Sequence, residues 1–143
     1  MSTYIKDDWE VQAKKDIAAS KAAIFDLIEH NDMLDEDGYP TNAALDVIRL
    51  WHWNDTKGWF KFIEGLWYMK DWGWVECEGG LDEHTNQRLN DKTTRFHIST
   101  AGWSGNEDII RAMQSNSMMW QLNWIQSRRG GHYIFELKKF NDD

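Results

Sequence analysis

The spacing of the apolar residues changes at Asp71, and this change constrains the fold more than any other feature of the chain. Before Asp71, apolar residues recur at three-, four- and seven-residue steps, which is typical of amphipathic helices. After it they alternate in short runs, which is typical of strands with one buried face. The 143 residues suffice for one domain with a real core. The sequence therefore predicts a single α+β domain over residues 1–143, with a mainly helical half (1–71) and a sheet-containing half (72–143).

Three helices are predicted in the N-terminal half. The first runs from about Asp8 to His30, and an acidic, turn-rich connector follows it. The second helix follows Thr41, and the third follows Asp55 and runs through Met69. Thr41 and Asp55 are suitable N-caps because their side-chain oxygens can accept from free backbone N–H groups. The apolar stripe of the first helix consists of Ala13, Ile17, Ile24, Leu27 and Ile28.

Four alternating runs in the C-terminal half predict strands. They lie at residues 74–78, 95–100, 118–124 and 133–137, and a helix beginning near Ser104 separates the first pair from the second. Gly130 and Gly131 between the last two runs indicate a hairpin turn, because glycine readily adopts positive φ. We expect a mainly antiparallel sheet of about four strands, packed on the N-terminal helices, with one further helix between the strand pairs.

Ten tryptophans are the one unusual feature of the composition. Core and interface positions account for most tryptophans in proteins, but so many in 143 residues leave some rings for ligand stacking. The formal net charge of −8 repels phosphate backbones, so broad nucleic-acid binding is not expected. Cys77 is the only cysteine, which excludes an intramolecular disulfide and fits a reducing compartment. With no 18-residue apolar run and no apolar signal-peptide segment, we expect a cytoplasmic protein without a membrane partner.

The first candidate binding segment opens the helix that follows the second predicted strand. Backbone N–H groups at a helix N-terminus can hold an anion. The alternative is purely structural, since Ser104 and Glu107 have the spacing of a capping box. The candidate residues are Trp103, Ser104, Gly105, Asn106 and Glu107.

The second candidate segment is the predicted hairpin turn. Two arginines beside two glycines offer planar donors and accessible backbone amides, which suit a phosphate or a carboxylate. The alternative is a solvated turn whose arginines serve solubility. The candidate residues are Arg128, Arg129, Gly130, Gly131, His132 and Tyr133.

The histidines match no complete catalytic motif. His97-Ile98-Ser99 matches the His-x-Ser/Thr unit of two-histidine phosphoesterases, but that mechanism needs two units and His132 does not begin a second. No zinc spacing, phosphate loop or dinucleotide fingerprint is present, and Ala44 stands where a calcium-binding loop would need glutamate. The sequence therefore assigns no catalytic residue, no metal ligand and no cofactor.

Three segments together carry a specific pattern: Leu34–Pro40, Gly102–Asp108 and Ser127–Tyr133. Their combination, including Gly-Trp-Ser-Gly-Asn-Glu and Ser-Arg-Arg-Gly-Gly-His-Tyr, resembles a set of small proteins of unknown function encoded in tailed-phage genomes and prophages. The resemblance spans about Leu34 to Leu137. It implies a phage origin and a host-cytoplasm setting, and it supplies no activity.

These features favour a binding protein over an enzyme. We expect a small anionic, nucleotide-like ligand, with Arg128 and Arg129 on its phosphate and Trp103 or Tyr133 on its base. Such a protein could sequester a host immune signal. Three alternatives stay open: a protein-binding inhibitor of a host defence factor, a nucleotide hydrolase using His132 with Glu107 or His97, and a virion or assembly component. The sequence contains no heptad repeat that would indicate an oligomer.

Overall fold

The N-terminal half is helical, as predicted, and two of its helices begin at the predicted caps. The computed structural model describes the backbone of residues 2–138 and the side chains of residues 8–137. Thr41 Oγ1 accepts from the backbone N–H of Ala44, and the Asp55 side chain accepts from that of Gly58, so both N-caps are confirmed. The helices are α1 (Ser2–His30), α2 (Asn42–Leu50), α3 (Thr56–Leu66) and the single turn α4 (Lys70–Gly73).

Helix α3 ends three residues earlier than predicted. Trp67 leaves the helix and buries its ring, and its indole N–H donates to the carbonyl oxygen of Ser99 at 3.1 Å. Met69 then adopts a φ of +58°, which is incompatible with a continuing right-handed helix. The prediction of one helix through Met69 was therefore wrong, because a contact with the sheet determines where the helix ends.

Helix α1 is longer than predicted and only lightly packed. It contacts α2, and Ile24 is buried, but most of its described side chains are exposed. Within the predicted stripe, Ile28 is 42% exposed. Trp9 and Phe25 are both 68% exposed. The described part of α1 therefore presents a partly apolar surface to solvent.

The C-terminal half forms one antiparallel sheet. Its strands are β1 (Trp74–Asp82), β2 (Gln87–Ser99), β3 (Trp124–Arg128) and β4 (His132–Lys138), in the order β1-β2-β4-β3. Helix α5 (Ser104–Ser115) lies between the two strand pairs. The predicted α+β class, with N-terminal helices and a four-stranded antiparallel sheet, is confirmed.

One predicted strand is instead a helix. Residues Ser117–Asn123 form α6, although Met118, Trp120, Leu122 and Trp124 alternate in sequence. Asn116 caps this helix by accepting from the N–H of Met119, and its side-chain amide also donates to the carbonyl of Ile48. Met119 and Asn123 are the buried positions, at the four-residue spacing of a helix. The misleading alternation came from three exposed residues, Met118, Leu122 and Trp124, together with the half-buried Trp120.

The core lies between the helices and one face of the sheet. Trp59 is fully buried in α3, and its indole N–H donates to the Ile48 carbonyl at 3.1 Å. The ring of Phe60 stacks on that of Phe96 with centroids 4.8 Å apart. The sheet residues that join this core are Trp74, Phe96, Ile98, Phe135 and Leu137.

The β1–β2 hairpin folds back over the opposite face of the sheet. Gly79 and Gly80 have positive φ, and the pairing register shifts between Glu78 and Gly80. Asp82 pairs with Gln87 near the tip of the hairpin. Its carboxylate nevertheless contacts Arg95 and His97, which pair with the first half of β1. An extended hairpin would hold Asp82 more than 15 Å from them, at about 3.3 Å per residue. The bend therefore creates a covered polar region on this face.

Candidate functional site

Polar residues lie on the sheet face opposite the core. Ser99 is paired with His132, and His132 with Arg128, so these three residues form one row across β2, β4 and β3. Directly opposed residues of neighbouring strands share a face. His97 and Arg95 lie two and four residues before Ser99 and therefore share it as well. We call these five residues the polar face: Arg95, His97, Ser99, Arg128 and His132.

A continuous hydrogen-bonded chain crosses the polar face. Ser99 Oγ lies 2.8 Å from His132 Nδ1. His132 Nε2 lies 3.3 Å from His97 Nδ1. His97 Nε2 lies 2.9 Å from Asp82 Oδ2. The order of groups is hydroxyl, imidazole, imidazole, carboxylate.

Only one arrangement of protons satisfies this chain when both imidazoles are neutral. The Asp82 carboxylate can only accept, so His97 Nε2–H must donate to it. His97 Nδ1 is then an acceptor, and His132 Nε2–H donates to it. His132 Nδ1 is left to accept from the Ser99 hydroxyl. The chain therefore directs the proton of Ser99 toward an imidazole nitrogen.

The pKa values support neutral imidazoles beside an ionised carboxylate. Burial lowers the pKa of His97, and this effect outweighs the hydrogen bond that His97 donates to Asp82, which raises it. Burial also lowers the pKa of His132, and the charges of His97 and Arg128 lower it further. Burial alone would raise the pKa of Asp82, but hydrogen bonds from His97, Arg95 and Thr85 hold it well below its usual range.

Arg95 compensates the buried charge of Asp82. Asp82 is fully buried and Arg95 is 7% exposed. Arg95 donates to Asp82 Oδ2 at 3.1 Å, to Thr85 Oγ1 at 3.1 Å and to Gln87 Oε1 at 2.7 Å. Because the charges are paired and hydrogen-bonded, the hairpin tip can remain buried against the sheet.

The backbone around Ser99 and His132 is fixed at several points. The carbonyl oxygen of Ser99 accepts from the Trp67 indole, and the N–H of Thr100 donates to the Gly131 carbonyl at 3.0 Å. Gly131 has a φ of +78°, and a Cβ there would lie 2.3 Å from Thr100 Oγ1. Glycine is therefore required immediately before His132.

The candidate residues at the start of α5 are engaged in packing. Trp103 lies against the rings of Tyr39 and Tyr68, each with centroids 4.5 Å away. A Cβ on Gly105 would meet the Trp103 ring. Asn106 is fully buried and exchanges two hydrogen bonds with the backbone of Tyr68, at 3.0 Å each.

The expected capping box is absent from α5. Trp103 is its N-cap and Ser104 is already the first helical residue, so no side chain caps the helix. Both Ser104 and Glu107 are exposed. The capping-box interpretation was wrong because the helix starts one residue too early for Ser104 to occupy the cap position.

The candidate residues of the hairpin turn are divided between the two sides of the sheet. His132 and Arg128 share the polar face, and Arg129 and Gly130 lie exposed in the turn. Tyr133 lies on the opposite side, where its ring contacts Trp120 and packs against the core. The structure therefore brings His132 and Arg128 together and separates them from Tyr133 and Trp103.

The two histidines are too close to act from opposite sides of a bound phosphate. Their nitrogens are 3.3 Å apart, which is a direct hydrogen bond and leaves no room for a phosphorus atom between them. The geometry differs from the mechanism that the His97-Ile98-Ser99 motif suggested. In this structure the His97 imidazole instead orients that of His132 through a direct hydrogen bond.

Cys77 lies close to the buried end of the chain. One ligand atom each from Cys77, Asp82 and His97 all lie within 4.8 Å of one another, a grouping that sequence spacing does not reveal. The Arg95 guanidinium already occupies this region and would repel a divalent cation. We therefore describe these residues as part of the hydrogen-bonded network.

Sequence reasoning missed Asp82 and Arg95 and gave Ser99 no role of its own. The alternation of residues 95–99 places Arg95, His97 and Ser99 on one face, and this signal could have identified them. Asp82 lies outside the four alternating runs that predicted strands. Its contact with His97 depends on the hairpin bend.

No protein-family model, curated protein or solved structure matches this chain. Over the described residues, none of the helices combines the length and apolar character needed to span a membrane. The function is therefore inferred from the chemistry of the polar face.

Proposed function

We propose that the protein binds a small phosphorylated, nucleotide-like anion on the polar face, between Arg128 and His132. The observation that carries this proposal is the row Arg128–His132–Ser99, which places a guanidinium, an imidazole and a hydroxyl side by side. Guanidinium groups bind phosphate through paired, charge-assisted hydrogen bonds. In the setting that the phage resemblance implies, such binding would remove a phosphorylated host signal from circulation.

The phosphate, rather than a base, supplies the recognition in this proposal. The rings expected to stack on a base, Trp103 and Tyr133, pack elsewhere. Arg128 is exposed and, among the side chains that the structure describes, bonds only to the neutral Gln126 at 3.2 Å, so its charge is available to an anion. On a protein of net charge −8, this local cation also defines where an anion can approach.

We expect Arg128→Ala to weaken nucleotide binding by about 10- to 150-fold, because a hydrogen bond to a charged group contributes about 1.5–3 kcal/mol. Titration calorimetry with linear and cyclic mononucleotides and cyclic dinucleotides measures this effect. Arg111→Ala is the matched control, since Arg111 is exposed on α5 and pairs with Asp108. No heat with any nucleotide in the panel would refute the proposal.

Binding should strengthen as the pH falls from about 8 to about 5.5. The pKa of His132 lies below its usual value, so the ring is neutral at pH 7 and gains a proton only under acidic conditions. An imidazolium attracts a phosphate more strongly than a neutral ring does. Calorimetric titrations of one nucleotide across this range should show a several-fold gain in wild-type affinity and little gain in His132→Gln. If His132→Gln gained as much affinity as the wild type on acidification, His132 would be excluded from the site.

Protein binding is the second candidate function, and one surface favours it. A groove of about 450 Å³ lies between α1 and α6, lined mainly by apolar side chains that include Trp9, Ala13, Trp53, Met118 and Leu122. It shares no residue with the polar face. Substitutions on the two surfaces therefore separate the two functions.

A further inference from the structure

The hydroxyl of Ser99 has the surroundings of an activated nucleophile. It is partly buried on the polar face and lies 2.8 Å from His132 Nδ1. A serine hydroxyl is a weak nucleophile until a neighbouring base can take its proton. His132 is neutral at pH 7 and presents its acceptor nitrogen to this hydroxyl, so a base is in place.

A second imidazole and a carboxylate orient that base. His97 fixes the tautomer of His132, and Asp82 fixes the tautomer of His97, through contacts of 3.3 and 2.9 Å. A nucleophile, a base and an orienting group are the recurring parts of serine hydrolases on unrelated folds. When His132 accepts the proton, the ionised Asp82 stabilises the positive charge on the two rings.

The charges of the site favour a substrate with a single negative charge. Arg128 supplies one positive charge next to His132, and both imidazoles are neutral at pH 7. A phosphodiester carries one negative charge, whereas a phosphate monoester carries close to two. The site is therefore better matched to a diester.

We propose that Ser99 is a nucleophile that cleaves a phosphodiester held by Arg128. This activity rests on the proposed function for its substrate, because Arg128 is also the residue that binds the anion. Ser99 and His132 are the catalytic residues, and His97 and Asp82 are positioning residues.

The reaction would proceed in two balanced steps. Ser99 Oγ attacks phosphorus, the Oγ–P bond forms, and the P–O bond to the leaving alcohol breaks. The Ser99 proton passes to His132 Nδ1 and then to the leaving oxygen. Water next attacks the phosphoserine, gives a proton to His132, and releases a phosphate monoester. That proton then returns to Ser99 Oγ.

Diisopropyl fluorophosphate tests the nucleophile directly. Attack by Ser99 forms an Oγ–P bond and releases fluoride, and intact mass followed by peptide mapping locates the adduct. We expect one adduct, on Ser99, that is lost in Ser99→Ala and unchanged in Ser115→Ala, which alters an exposed serine at the end of α5. In His132→Gln, labelling should slow by about 10²–10⁴-fold. Equal labelling of wild type and His132→Gln, or an adduct spread over exposed serines, would overturn the proposal.

The pH profile of labelling tests the positioning role of His97. The rate should rise with pH as His132 loses its proton and should level off above its pKa. His97 Nδ1 accepts from His132 Nε2–H at 3.3 Å and links that ring to Asp82, so His97→Gln should slow labelling and move the midpoint. A purely structural role would lower the rate without moving the midpoint, and that result would overturn the assignment of His97.

The substrate class has its own readout. We expect the wild type, but not Ser99→Ala, to release 4-nitrophenol from bis(4-nitrophenyl) phosphate. Arg128→Ala should lose this turnover and keep fluorophosphate labelling within a few fold, because that reagent is uncharged. Labelling without turnover would overturn the diester assignment. Failure of nucleotide binding alone would leave the labelling result intact, so the two proposals can fail separately.

Discussion

Asp82→Ala is expected to lower the free energy of unfolding by about 3–5 kcal/mol, because it removes the closer and fully buried of the two carboxylates that pair with Arg95 and leaves only Glu136, at 3.7 Å. It also removes the acceptor of His97 Nε2. Domains of this kind are stable by about 5–15 kcal/mol, so the loss is a large fraction of the total. Urea denaturation followed by tryptophan fluorescence measures it.

Asp108→Ala is the matched control for that experiment. Asp108 pairs with Arg111 on the surface of α5, where an ion pair contributes about 0–1 kcal/mol. A loss in Asp82→Ala no larger than in this control would show that the buried pair does not hold the hairpin.

The pH dependence of stability gives a second readout of the same network. The pKa of Asp82 is lowered by folding, so its contribution is complete above its unfolded pKa of about 3.9 and is lost as the pH falls below that value. His97 and His132 also have lowered pKa values, so protonating them favours unfolding below about pH 6.5. Wild type should therefore lose stability in two stages on acidification, and Asp82→Ala should lack the lower one.

Trp59→Ala is the second substitution with a large expected effect, at about 3–5 kcal/mol. Trp59 is fully buried, and its loss leaves a cavity beside α3 and removes one of the two side-chain hydrogen bonds to the Ile48 carbonyl. The midpoints of thermal and urea denaturation should both fall. Trp72→Ala is the control, because Trp72 is 63% exposed and should change stability by no more than about 0.5 kcal/mol. Similar losses in the two variants would contradict the described core.

The fold class could be predicted because hydrophobic period reports secondary structure directly. The alternation around Phe96 and Ile98 predicted the buried face of β2. Thr41 and Asp55 predicted the N-termini of two helices. Helix α6 was not predicted, because the hydrophobic period does not identify a short helix that buries only a few side chains. The C-terminal end of α3 was not predicted, because it depends on a contact between Trp67 and a strand residue 32 positions further along the chain.

The candidate site could be predicted only in part. His132 and Arg128 stood out because glycines flank them, and strand alternation placed His97 and Ser99 on one face. Their meeting depends on the pairing of β2 with β4, which no local pattern encodes. Asp82 depends further on the bend at Gly79 and Gly80. Conversely, Asn106 looked like a ligand-binding residue and instead ties two backbone segments together.

The alternation of β2 has a consequence for how this protein can change over generations. Polar side chains occupy every second position, including His97 and Ser99, while Phe96 and Ile98 pack into the core. Substitution at a polar position can thus alter reactivity and spare the packing. Insertion or deletion of one residue would exchange the two sets and destroy both at once. Strand β2 can therefore vary in composition but not in length. Related proteins should differ in the polar side chains of this strand before they differ in fold.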